Sequence, residues 1–229
     1  MPSIRFKTAI YEHIARIGQA AASPTRLELL DLLAQAPRTV DDLATHIDQS
    51  VANTSHHLQV LRRARLVEAD RDGVHVSYRL ADEDVGALVV QLRGLAHARL
   101  TEIEQVMRAF LQEPDRMETV AGEVLVQRVR RGDATLLDCR PREEYLAGHI
   151  PGAISVPVPE LKERLGEFPK RRDVVAYCRG PYCVMARDAV EILRGHGFRA
   201  HRMELGVPEW RARGWPIAMP RQSRGQRVG

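Results

Sequence analysis

The feature that most restricts how this 229-residue chain can fold is a change of texture at Gln112-Glu-Pro-Asp-Arg116. Before it, apolar residues recur almost wholly at helical spacing. After it, short apolar runs alternate with helical stretches. The stretch itself is polar and holds a proline, so it reads as a linker between two domains, each long enough to bury a core. The expected division is residues 1–112, a linker at 113–118, a second domain at 119–220 and a disordered tail at 221–229. No internal repeat is found.

In the first domain Ser23-Pro-Thr25 is a start signal for a helix carrying Leu27, Leu30 and Leu33, and Pro37 ends it. Thr39 to Ile47 is a second helix, with Val40, Leu43 and Ile47 inward. Gln49 to Arg62 is a third, with Val51, Thr54, Leu58 and Leu61 inward. Leu66–Ala69 and Val74–Leu80 flank Asp72-Gly73 as a hairpin. Asp82 to Leu111 reads as one long helix with Leu88, Leu92, Leu95, Ile103, Val106 and Phe110 as its apolar stripe. Two short helices joined around Asp48 and followed by a hairpin predict an all-α winged helix-turn-helix with a β-hairpin wing. Its third helix would enter a major groove, with Ser50, Asn53, Ser55, His56 and Gln59 toward base edges. Arg62, Arg63 and Arg65 would meet phosphates, and Arg71 and His75 sit on the wing.

Ser23-Pro-Thr-Arg-Leu-Glu-Leu-Leu30, Ser50-Val-Ala-Asn-Thr-Ser-His-His-Leu-Gln-Val-Leu-Arg62 and the wing Gly73-Val-His-Val-Ser-Tyr-Arg-Leu80 resemble the ArsR/SmtB family of bacterial repressors. The resemblance implies a homodimer, built mainly through the first and last helices, on double-stranded operator DNA with an inverted repeat. Members that sense soft metals carry Cys-x-Cys at the start of the second helix, where this chain has Thr39-Val-Asp-Asp-Leu43, so no metal is expected there. His97 has no partner at metal spacing. All three cysteines, Cys139, Cys178 and Cys183, lie in the other domain.

There, Thr135–Cys139, Ala153–Val156, Val174–Tyr177 and Ala200–Met203 read as buried strands with helices between, predicting an α/β domain with a central parallel sheet. Val174-Val-Ala-Tyr-Cys-Arg-Gly-Pro-Tyr-Cys183 is a strand emptying into a loop, and a helix from Met185 follows. Loop N–H groups and Arg179 would favour a thiolate at Cys178. Asp138 and Arg140 form a charge pair beside the sheet, His149 reads as structural, and Cys139 reads as core.

Leu136-Leu-Asp-Cys-Arg-Pro-Arg-Glu-Glu-Tyr-Leu-Ala-Gly-His-Ile-Pro-Gly-Ala153 and Gly197-Phe-Arg-Ala-His-Arg-Met-Glu-Leu-Gly-Val-Pro-Glu-Trp-Arg-Ala-Arg-Gly-Trp-Pro216 resemble the opening and closing segments of rhodanese domains. The resemblance implies that Cys178 accepts a sulfane sulfur and passes it on. The donor would be thiosulfate, polysulfide, or a protein or low-molecular-weight persulfide. Many single-domain relatives read Cys-Arg-Ser-Gly-x-Arg-Ser, but this loop ends Tyr182-Cys-Val184. A positive charge is lost and a second thiol is gained, which can resolve a Cys178 adduct. The arginine required by the related phosphatase and arsenate-reductase loops would fall at Val184.

Lys and Arg total 34 against 30 Asp and Glu, which permits nucleic-acid binding without requiring it. Met-Pro-Ser-Ile-Arg-Phe-Lys7 lacks an apolar leader core, and no run approaches the roughly eighteen apolar residues of a membrane span. A cytoplasmic protein without cofactor is expected. The leading expectation is a repressor whose second domain senses sulfane sulfur or thiol redox state through Cys178 and Cys183. The alternative is an active sulfurtransferase linked to DNA binding.

Overall fold

The computed structural model describes residues 2–73, 75–111 and 122–219, in two compact units, Met1–Leu95 and Ala96–Gly229. The stretches expected as linker and tail, 113–118 and 221–229, lie outside the described residues.

The first unit opens with α1 (Pro2–Ala21), whose carbonyls at Gln19 and Ala20, with that of Ala22 just beyond it, accept from the Arg26 guanidinium. In α2 (Pro24–Leu33) Pro24 takes the first helical position, and Leu29, Leu30, Leu32 and Leu33 are all buried. A helix buried on more than one face lies at the centre of its unit. Leu43, Ile47, Leu58, Leu61, Leu66 and Val67 close around α2. The single stripe read at Leu27, Leu30 and Leu33 describes only part of that burial.

β1 (Arg38–Thr39) leads into α3 (Val40–His46). The Thr39 hydroxyl accepts from the Asp42 N–H at 3.2 Å, and the Asp42 carboxylate holds Arg38 at 2.5 Å. The stretch Thr39-Val-Asp-Asp-Leu43 is thus a helix start capped by Thr39. Asp48, at φ +50°, turns the chain between α3 and α4 (Val51–Arg63) in a conformation that Asp tolerates. Ser50 caps α4, its hydroxyl accepting from the Asn53 N–H at 3.2 Å. Ser50→Ala is expected to cost about 1 kcal/mol of stability, read as a lower urea midpoint.

β2 (Val67–Asp72) and β3 (His75–Leu80) pair antiparallel with Asp72 opposite His75, so Asp72, expected in the turn, is still a paired strand residue. β1 adds to β3, so the wing's hairpin belongs to a three-stranded sheet. In α5 (Glu83–Arg99) the buried residues are Val85 and Val89. The expected stripe is largely exposed, Leu95 at 57% and Phe110 at 77%. The long helix is also interrupted at Leu100, before α6 (Thr101–Leu111). Thr101 with Glu104 three residues on is a helix-start pattern that restarts the chain there.

The second unit continues through α7 (Gly122–Arg131), β4 (Ala134–Asp138), α8 (Arg142–Ala147), β5 (Ile154–Ser155), α9 (Leu161–Arg164), β6 (Asp173–Tyr177), α10 (Met185–Gly195), β7 (Ala200–Arg202) and α11 (Val207–Ala212). The sheet order is β5-β4-β6-β7, all parallel. One face carries Leu137, Val174 and Ala176 against Ala186, Ala189, Val190 and Leu193 of α10. The other carries Leu136, Val175 and Tyr177 against Leu125, Ile150 and Trp210. Covering on both faces explains why β4 is buried at every residue, its polar Thr135 and Asp138 included.

Beside the sheet the expected Asp138–Arg140 pair is present, fully buried, with the Arg140 Nη2 to Asp138 Oδ2 distance 2.6 Å. Arg140 also donates to the Gly148 carbonyl at 2.8 Å, and the Tyr177 hydroxyl donates to Asp138 at 2.6 Å. His149 lies against the Tyr145 ring at 3.7 Å, its Nδ1 3.0 Å from the Tyr145 carbonyl oxygen. Among the described residues no helix is long and apolar enough to cross a membrane.

Candidate functional site

In an open parallel sheet the loops at the carboxyl ends of the strands form the site, and here they gather the cysteines. The Cys139 N–H donates to the Tyr177 carbonyl at 3.0 Å, continuing the β4–β6 ladder by one residue. Cys139 and Cys178 therefore end neighbouring strands on the same face, where both join one apolar cluster. The chain then runs through Arg179–Val184 into α10, and Cys183 packs against that cluster, half-buried.

Residues far along the chain hold this loop. Arg202 donates to the Pro181 carbonyl at 2.7 Å. Gly180 adopts φ +134°, and a Cβ there would meet Glu209 Oε2 at 3.0 Å. Gly206 lies so close that a Cβ would stand 2.6 Å from the Arg179 carbonyl carbon and oxygen. Gly206→Ala is expected to displace the loop, lowering stability by about 1–3 kcal/mol and changing the rate at which Cys183 is alkylated.

The Cys178 thiol donates to the Cys183 carbonyl oxygen at 3.6 Å, and the two loop thiols shift each other's acidity in opposite directions. The Cys178 thiol, donating to Cys183, lowers the Cys183 pKa to about 6 against the opposing effect of burial. The N–H groups of Arg179 and Met185 help, as does the Arg179 charge. Cys178 is pushed up by its bond to Cys183, by burial and by the Cys183 charge, against the N–H groups of Gly180 and Ala186. Within this coupled pair the shifts run toward a thiolate on Cys183 and away from one on Cys178, where the sequence alone places it. Cys139 is raised by burial, by Asp138 and by Cys183, and is an inert core thiol.

Arg179 was expected to stabilise an anion. Its Nε and Nη2 donate to Glu144 Oε1 at 2.9 and 2.6 Å, and the Glu144 side chain is fully buried. The guanidinium is committed to that carboxylate, and its effect on Cys183 is the smallest of those named above. Nothing in Glu143-Glu144 marked which residue would turn inward. Alkylation of Cys183 is expected to be half-maximal near pH 6, rising with pH as the thiolate forms. Cys178→Ala, lacking the thiol donor, is expected to move that midpoint upward.

In the first unit α4 presents the candidate nucleic-acid interface. With Thr54, Leu58 and Leu61 buried, the 100° step of a helix sets His56, Gln59 and Arg63 directly outward, with the small Ala52 among them. Asn53 lies on one flank, and its amide donates to Gln49 Oε1 at 2.8 Å. Arg62 and the half-buried Ser55 lie on the other flank. Ser50 is occupied as the helix cap. Val51, expected inward, is 43% exposed, while Thr54 in the same turn is fully buried. Arg65 and Arg71 are exposed, and the side chains of Arg71 and His75 belong to the paired wing strands, that of His75 lying outside the described residues.

Comparison with known proteins agrees with both units. The rhodanese-like domain family matches residues 122–213, and the bacterial regulatory protein, arsR family, matches residues 23–69. The HTH-type transcriptional regulator Rv0324 of Mycobacterium tuberculosis is 43% identical over 92% of this chain and 92% of its own length. A sulfurtransferase of Allochromatium vinosum is 34% identical over 44% of this chain and 94% of its own. Among solved structures, the homodimeric winged helix-turn-helix DNA-binding domain of a possible ArsR-family regulator from Mycobacterium bovis is 40% identical. It covers 41% of this chain and 87% of that chain, with a TM-score of 0.40. The full-length match to a regulator, with each unit matched by its own family, shows that the chain belongs to the ArsR-type HTH transcriptional regulators that carry a rhodanese-like domain.

Proposed function

We propose that this regulator is a cytoplasmic repressor, homodimeric on inverted-repeat operator DNA, whose rhodanese-like unit adjusts DNA affinity in response to sulfane sulfur or thiol oxidation at Cys178 and Cys183. The observation that carries this reading is the pairing of two thiols on one loop, a half-buried Cys183 whose carbonyl oxygen accepts from the Cys178 thiol at 3.6 Å and a Cys178 that is 1% exposed. Cys183 meets the donor first. Its thiolate attacks the sulfane sulfur of a persulfide RSSH and forms Cys183–S–SH with release of RSH, the proton coming from solvent. Loss of the Cys183 thiolate removes two causes that hold the proton on Cys178, and the N–H groups of Gly180 and Ala186 then favour its thiolate. Cys178 attacks the inner sulfur of the adduct. A Cys178–Cys183 disulfide forms and hydrogen sulfide leaves, so two thiols are oxidised and one sulfane sulfur is reduced.

A dimer is supported by the exposed Phe6, Ile10, Tyr11 and Ile14 of α1 and Val106 and Phe110 of α6, apolar side chains that a second copy would cover. The test is DNA binding by the full chain before and after polysulfide, on a duplex selected from a random pool. A change in affinity with one sulfide released per chain supports the reading, and unchanged affinity overturns it. The second reading is a sulfurtransferase with Cys178 as the persulfide carrier, favoured by the backbone N–H groups aimed at its sulfur. Steady sulfide production from thiosulfate and excess thiol, at about 1 s⁻¹ or faster, would mark that enzyme.

A further inference from the structure

We infer that the edge of the rhodanese-like unit opposite the thiol loop is a second, sequence-independent DNA-binding surface that takes the phosphate backbone. In a parallel sheet every strand starts at one edge, and the thiols lie at the other. Leading into β4, β6 and β7 are Arg130 and Arg131, then Lys170, Arg171 and Arg172, then Arg199, and all six are exposed. Contacts join them into one surface. The Arg172 guanidinium lies over Gly132, its Nη2 3.4 Å from where a Cβ would stand. Arg199 donates to the Arg171 carbonyl at 2.9 Å, and Lys170 Nζ stands 5.6 Å from the centre of the Phe198 ring. The carboxylate at the middle, Asp173, is shared by Arg128 at 2.9 Å and Arg199 at 3.1 Å. Asp133, in the turn after α7, offsets one charge.

The positive charge is carried by exposed side chains, which fits a uniform line of anions. Duplex DNA offers about one phosphate charge per 1.7 Å of axis, and each phosphate neutralised releases condensed cations. The same chain carries a DNA-reading unit. Once that unit is bound, the tethered second unit meets flanking phosphate at an effective concentration on the order of millimolar. A weak, unspecific surface suffices under those conditions.

The experiment uses the full chain and a random-sequence duplex of about 40 base pairs, with affinity followed by anisotropy between about 50 and 200 mM salt. The variant Arg130→Ser/Arg131→Ser/Arg171→Ser/Arg172→Ser leaves Arg128, Asp173 and Arg199 in place. Its slope of log affinity against log salt is expected to be shallower by about 2 or more, at about 0.9 per phosphate contact, with affinity at low salt reduced at least about tenfold. The same four positions changed to lysine keep the charge and are expected to keep the wild-type slope. A slope changed by less than about 0.5 in the serine variant overturns the proposal. Loss of slope in the lysine variant also overturns it, since charge would then not be the cause. So does binding of wild type to phosphatidylglycerol vesicles that the serine variant loses while its DNA slope is unchanged.

Discussion

The Cys183→Ser protein, mixed with polysulfide, is expected to keep the DNA affinity of the untreated protein, whereas wild type shifts by about 5- to 150-fold, the usual range of allosteric coupling. Two independent losses produce this. At pH 7 Cys183, with its pKa near 6, is mostly thiolate. An ordinary thiol near 8.5 is only a few per cent thiolate, so the first attack slows by about tenfold or more when Cys178 must make it alone. The second loss is the resolving step, since the loop holds no second thiol to expel sulfide and Cys139 is buried with its acidity suppressed. Cys178→Ser is expected to separate the steps: Cys183 still takes a sulfur, seen as a mass gain on its peptide, but no sulfide is released. The pH dependence follows from the sign of the shift. The Cys183 pKa is depressed, so the reactive form is present above about pH 6 and is lost as pH falls through that value. A Cys183→Ser protein that responds as wild type would sink the dithiol reading.

Asp138→Ala is expected to lower the stability of the rhodanese-like unit by about 3–5 kcal/mol, the usual cost of stranding one member of a buried ion pair. Burial works against the Arg140 charge, and the hydrogen bonds and charge of Asp138 outweigh it, keeping its pKa above the usual value. Removing the carboxylate also takes the acceptor from the Tyr177 hydroxyl, whose oxygen accepts from the Ile150 N–H at 3.2 Å. The whole turn after β4 loosens with it. Both tryptophans of the chain, Trp210 and Trp215, belong to this unit and stack edge to face at 4.7 Å. Tryptophan fluorescence in urea therefore follows this unit alone, while far-ultraviolet circular dichroism follows both. A fluorescence midpoint unchanged from wild type would show that the pair contributes nothing net.

What the sequence made legible was whatever depends on a few neighbouring residues. Pro24 at a helix start, the apolar run Val174–Tyr177 of β6 and the strand-loop-helix around Cys178 are local signals, and the structure has each of them there, whereas the strand read at Thr135–Cys139 begins and ends one residue earlier. The helix expected to run unbroken from Asp82 failed at Leu100 although its restart signal, Thr101 with Glu104, was local too. The apolar period passes straight through the break and conceals it. Periodicity also named the wrong face of α5: Leu88, Leu92 and Leu95 repeat well, yet Val85 and Val89 are the residues the unit buries. A stripe shows that a helix has an apolar side without saying what covers it. The acid strengths of the loop thiols could not be read at all. They depend on Glu144 claiming Arg179 across 35 residues and on the opposed shifts of the two loop thiols, and both are settled only when distant segments meet.

The loop's dependence on Arg202, Gly206 and Glu209 has a consequence for the order in which the protein is made. α1 through β3 can close as soon as they leave the ribosome, since N-terminal domains generally fold first during synthesis. The thiol loop emerges later and still lacks the residues that brace it from behind. On the proposed function, a growing chain would hold a folded DNA-reading unit before its thiol loop is assembled, so a nascent regulator would bind DNA without yet responding to sulfur.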